Sequence, residues 1–141
     1  MARAERFEDL KAWQKARELT RVAYRMSTNG AWAKDYGLRG QIQRAAVSAM
    51  SNIAEGFERR GDAEFHHSLS VAKGSAGEVR SQLYVALDQE YINAEGFESA
   101  RKLAEDVSNL TAALIRYLKA KISRSKPPGD EDQNHHPRGT S

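Results

Sequence analysis

Phe65, Leu69, Ala72, Ala76, Val79, Leu83 and Ala86 recur at spacings 4-3-4-3-4-3. A period of 3.5 held over about three heptads puts every one of these side chains on a single helical stripe. A strand, with its period of two, would split them between opposite faces. The stripe therefore commits the segment from about Ala63 to Tyr91 to a long helix in a left-handed bundle, with Asp62 as the expected N-cap. All three prolines stand at position 127 or later, so long helices are permitted throughout the preceding chain.

Three more amphipathic segments fit the same plan. From about Glu8 to Ser27, Ala12, Ala16, Leu19, Ala23 and Met26 form one stripe, with Leu10, Trp13 and Tyr24 on an adjoining face. Glu8 and Asp9 place negative charge at the positive end of this helix. Its apolar arc is wider than one contact requires, which suggests a further neighbour, such as another subunit. From about Tyr36 to Arg59, Leu38, Ile42, Ala45, Ala49, Ile53, Gly56 and Phe57 share a face whose small residues allow close helix approach. From about Glu95 to Ser123, Ala100, Leu103, Val107, Leu110, Leu114 and Tyr117 repeat the 3-4 spacing, and Asn93 is placed to cap.

Short links around Gly61 and Asn93 make successive helices antiparallel neighbours. The link Thr28–Asp35 is longer and holds Trp32. The expected fold is all-α: an up-down, antiparallel, left-handed four-helix bundle over residues 1–125. Residues 126–141, without apolar side chains, form an expected disordered tail.

With 141 residues the chain is the size of one domain and needs no disulfide to hold a core. It has no cysteine, which removes thiolate nucleophiles and Cys-ligated metal sites and fits a reducing compartment. No apolar run follows Met1–Arg6 to make a signal peptide, and none approaches the roughly 20 residues of a membrane span. A cytoplasmic protein is expected.

Catalytic patterns are sparse. A di-iron bundle needs paired Glu-x-x-His motifs plus two further inward carboxylates. Glu64 and His67 supply one such spacing, without a second copy, and Phe65 marks the inward face. His66 and His67 diverge by about 100° around a helix and cannot chelate one ion together. His135 and His136 lie in the tail. There is no phosphate loop, nucleophile elbow or Walker motif. Gly74 and Gly77, inside a helix, suggest close packing. The reading is a non-enzyme with no cofactor and no metal.

Ser48, Asn52 and Glu55 run along the edge of the second helix's apolar face, with Ser51 nearby, and Ser75 and Glu78 lie close to the heptad seam of the third. Carboxylates near a helix contact are costly if buried without partners. The favoured reading is a structural polar network of Ser48, Asn52, Glu55, Ser75 and Glu78 that fixes helix register. A ligand or metal site is the alternative.

These residues also carry a resemblance. Leu10-Lys-Ala-Trp13-Gln-Lys-Ala16, Tyr36-Gly-Leu38-Arg-Gly-Gln41-Ile42-Gln-Arg44-Ala45-Ala46, Ser48-Ala-Met-Ser-Asn52-Ile-Ala-Glu55-Gly56, Phe65 and Ala72-Lys-Gly-Ser75-Ala-Gly-Glu78 resemble the four-helix bundle proteins encoded in intervening sequences of bacterial 23S rRNA genes. The likeness covers roughly residues 7–119. In the first loop the family usually has a Phe-Pro pair and a Glu before Tyr-Gly-Leu, where this chain has Asn29-Gly-Ala-Trp32-Ala-Lys-Asp35. The family is similar to the accessory variability protein of diversity-generating retroelements. That relationship implies a homopentameric barrel with a basic surface that binds nucleic acid and a reverse transcriptase.

Charge points the same way. From Pro127 onward there are one Arg and three acids, so residues 1–126 hold 21 basic against 16 acidic groups. A basic body suits an acidic partner. Candidate phosphate contacts are Lys11, Lys15, Arg21 and Arg25 on the first helix, Arg44, Arg59 and Arg60 on and just after the second, and Arg116, Lys119, Lys121 and Arg124 on the fourth. The last group also complements a helix C-terminus. The expected function is a homo-oligomer that binds nucleic acid, in the first place RNA, through these patches. The alternative is a protein-interaction scaffold or accessory factor for an acidic or reverse-transcriptase-like partner.

Overall fold

The computed structural model describes residues 4–125. It contains four helices: α1 (Lys11–Ser27), α2 (Tyr36–Glu58), α3 (Asp62–Asp88) and α4 (Ala94–Ser125). Short 3-10 turns precede α1 (Phe7–Asp9) and α2 (Gly30–Lys34), and no strand occurs among the described residues. The expected tail, with His135 and His136, lies outside them.

The helices close a ring: α2 packs on α3, α3 on α4, and α1 on both α2 and α4. Contacts at the helix ends are those of antiparallel neighbours. Phe57, ending α2, meets Phe65, starting α3, edge to face at 5.9 Å. At the opposite end of this pair Tyr91 donates its hydroxyl hydrogen to Asp35, just ahead of α2, at 2.9 Å. Tyr84 of α3 meets Phe97 of α4 at 4.8 Å, while Lys121 near the end of α4 reaches Asp62 at the start of α3.

The heptad stripe of α3 is the core: Leu69, Ala72, Ala76, Val79, Leu83 and Ala86 are buried, with Phe65 half-buried at its head. Ala12, Ala16, Leu19 and Ala23 face it from α1, and Leu38, Ile42, Ala45, Ala49 and Ile53 from α2. Gly56 allows the tightest approach. A Cβ there would stand 2.5 Å from the Ser68 Cβ, a distance at which something must shift.

Several expectations are corrected. The buried line of α4 runs through Phe97, Ala100, Ala104, Val107, Thr111 and Leu118. Leu103, Leu110 and Leu114 are only half-buried, and Tyr117 is 56% exposed. The small residues take the centre because α3 approaches closely, and Thr111 is tolerated there because its hydroxyl donates to the Val107 and Ser108 carbonyls. Gly74 and Gly77 do not serve packing: a Cβ at either would meet nothing within 4 Å. Helix α3 is capped by Gly61, and Asp62 is its first residue rather than its N-cap. Extended Leu10 separates Glu8 and Asp9 from α1. The wide arc of α1 is partly met within the chain, because Phe7 of the first turn packs edge-on against Trp13 at 5.1 Å.

The longer link is a built corner. Trp32 is fully buried in it and stacks on Tyr91 at 6.0 Å. Asp35 caps α2 by accepting from the Leu38 N–H at 3.1 Å while its other oxygen accepts from Tyr91. Asn93 caps α4 as expected, accepting from the Gly96 N–H at 2.8 Å. Helix α3 ends in a Schellman motif, with Tyr91 N–H bonded to the Ala86 carbonyl and Glu90 N–H to Leu87. Its left-handed residue is Glu90, at φ 60°.

Candidate functional site

The polar stripe forms only in part. The Ser48 and Ser75 hydroxyls meet across α2 and α3 at 2.9 Å, and the Asn52 amide donates to the Ser48 carbonyl and hydroxyl. Four partly buried groups thus satisfy one another, which suits a device that fixes register. Glu55 and Glu78 are not members. Both are exposed, and Glu55 pairs instead with Arg59 on its own helix at 3.2 Å. Position along the helix edge sets Glu55 and Glu78 near the contact, but their side chains stay in solvent. Among the described residues no three His, Asp or Glu side chains gather as a metal site.

The basic candidates are surface side chains, and ion pairs sort them. Lys15 pairs with Glu18 at 3.2 Å, Arg59 with Glu55, and Lys121 with Asp62 at 3.3 Å. Lys11, Arg21, Arg25, Arg44, Arg60, Arg116, Lys119 and Arg124 are exposed. None of these eight forms a salt bridge among the described residues. Geometry divides the set. The Lys121–Asp62 bond sets the end of α4 beside the α2–α3 turn, so Arg59, Arg60, Lys121 and Arg124 belong to one end of the bundle. Arg60 lies over the Phe57 ring at 6.0 Å and holds a left-handed φ of 64°.

Arg44 belongs elsewhere. Between α1 and α2 lies an open groove of about 420 Å³ lined by Tyr24, Gly40, Gln43, Arg44, Val47, Ser48 and Ser51. Arg44 folds back over Gly40, where a Cβ would stand 2.9 Å from its Nη1. Gln43 is anchored by donating to the Ser27 hydroxyl at 3.0 Å. Arg21 and Arg25 flank Tyr24 on α1. Along the sequence Tyr24 falls on a face adjoining the apolar stripe of α1, and the groove does not show there because its other lining residues come from α2.

Three ionisable groups, Tyr91, Glu98 and Arg101, depart from their ordinary values. The hydrogen bond to Asp35, with some burial, raises the Tyr91 phenol. The Arg101 guanidinium, bonded at 3.0 Å, holds the Glu98 carboxyl low. The same pair with Glu98 raises Arg101, and none of the three borders the groove.

A helical bundle with basic, unpaired surface side chains and a small hydroxyl network defines a class, and comparison with known proteins narrows it. Residues 8–113 match the model of the 23S rRNA-intervening sequence protein family, and the chain belongs to that family. Among solved structures it is similar to a protein of unknown function from the S23 ribosomal protein family of Bacteroides thetaiotaomicron. The two are 26% identical with a TM-score of 0.67 over 74% of this chain and 97% of that one. No curated protein matches the chain.

Proposed function

We propose that this protein is a non-enzymatic, homo-oligomeric bundle that binds nucleic acid, in the first place RNA, through its basic surface. The observation that carries the reading is the sorting of charge. Eight of the candidate cations stay exposed and outside any ion pair among the described residues, on three different helices and the α2–α3 turn. Unpaired surface Lys and Arg can neutralise phosphates without first breaking an internal contact, and phosphate neutralisation is sequence-independent. Repetition around an oligomer would multiply each patch into a stronger field. No helix among the described residues is long and apolar enough to cross a membrane.

The test reverses charge at Arg116→Glu, Lys119→Glu and Arg124→Glu together. These residues are exposed and form no ion pair among the described residues, so the helix content should persist while affinity for structured RNA falls by about tenfold or more. Unchanged RNA affinity in a folded variant would contradict the reading and leave an acidic protein partner as the alternative.

A further inference from the structure

We propose that the groove between α1 and α2 seats an unpaired nucleotide of single-stranded RNA, its base stacked on Tyr24 and its phosphate held by Arg44. This rests on the nucleic-acid reading above and sharpens it from a charged surface to a site.

Three observations select this occupant. The groove is open to solvent and, at about 420 Å³, has room for about one nucleotide. Its charge has one sign: Arg44 lines it, Arg21 and Arg25 flank Tyr24, and no acid is in the lining. Glu18, the acid of α1, points about 120° away from Tyr24 around the helix and is occupied by Lys15. Finally, Tyr24 is 43% exposed, a half-open ring that shares the groove's lining with Arg44. An unpaired base has a free face to stack on such a ring, worth at least about fivefold in affinity per base on alanine substitution. A duplex keeps its bases stacked internally and offers only phosphate and sugar. Gln43, held by Ser27, and the Ser51 hydroxyl supply hydrogen-bonding groups along the floor. The inner wall is closed by the Ser48–Ser75 bond, so the ligand meets a fixed surface.

The experiment measures fluorescence anisotropy of the full chain with a labelled, unstructured RNA of about a dozen nucleotides, and with its duplex. Tyr24→Ala is expected to weaken single-strand binding by at least about fivefold and to leave duplex binding within about twofold. Tyr24→Phe, which keeps the ring, is expected to bind as the wild type. Arg44→Ala is expected to lower the single-strand salt slope by about 0.7. Tyr24 is half out of the protein, so an unchanged melting temperature checks folding. If both RNAs bind and Tyr24→Ala affects neither, or affects both equally, the groove proposal is overturned and the charged-surface reading stands. If the wild type binds neither RNA, or binds poly-glutamate in their place, both fall.

Discussion

The two flanks of α2 are built oppositely. Toward α3 the contact is dry and tight: Gly56 lies under Ser68, and Ser48, Asn52 and Ser75 satisfy one another. Toward α1 the same helix carries Arg44, Val47 and Ser51 along an open groove faced by Tyr24. Side-chain size decides the difference. Where glycine and serine face the neighbour, the axes come close and no ligand can enter. Where Tyr24 and Arg44 stand, the surface keeps an open groove, and polar and aromatic groups line it. One helix thus carries a hydroxyl network suited to holding register and an arginine groove proposed to meet a partner.

Mutations sharpen that contrast. The largest effect is expected from Gly56→Val, whose branched side chain has no room against Ser68 and Phe65. Overpacking of this kind costs about 1–3 kcal/mol, and a β-branched residue here belongs at the upper end. Thermal unfolding should show the loss, and a melting temperature equal to wild type would mean that the α2–α3 contact is looser than described. Gly74→Ala provides the opposite case. It sits mid-helix with empty space around it, so alanine should gain about 0.5–1 kcal/mol through backbone entropy alone. A loss would reveal that the outer face of α3 is covered in the assembled protein.

The smallest effect is a change in shape with pH. The Tyr91 phenol is raised by its bond to Asp35. Its contribution to stability is therefore complete below the ordinary phenol value near 10 and is lost as pH rises through the higher folded value. Tyr91→Phe should lower stability slightly at neutral pH, where the bond to Asp35 is intact, and flatten the alkaline arm of the stability curve. An alkaline arm identical to wild type would show that this corner does not titrate with unfolding.

Periodicity made the helices legible. The α3 stripe identified its buried residues because it has large and small apolar side chains at every turn of one face. In α4 the same method selected Leu103, Leu110 and Tyr117 by size, whereas the bundle centre admits Ala104 and Thr111. Size marks apolar character, but the available space is set by the neighbouring helix. Glycine was ambiguous for the same reason: Gly56 and Gly74 look alike along the chain, and only one has a neighbour. The corner formed by Trp32, Asp35 and Tyr91 was invisible because it joins residues 56 apart in sequence. Of the site, the basic residues were readable as charges. Their sorting by Glu18, Glu55 and Asp62 was not, nor was the pairing of Tyr24 with Arg44 in one groove.

The central claim is that unpaired surface cations bind RNA through its phosphates, and its most direct measurement is the dependence of RNA affinity on salt. Each phosphate neutralised contributes about 0.7–0.9 to the slope of log affinity against log salt. Binding at about 50 mM salt that falls with a slope steeper than about −3, as several phosphates require, is the predicted result. No binding at that salt, or an affinity indifferent to it, would contradict the account.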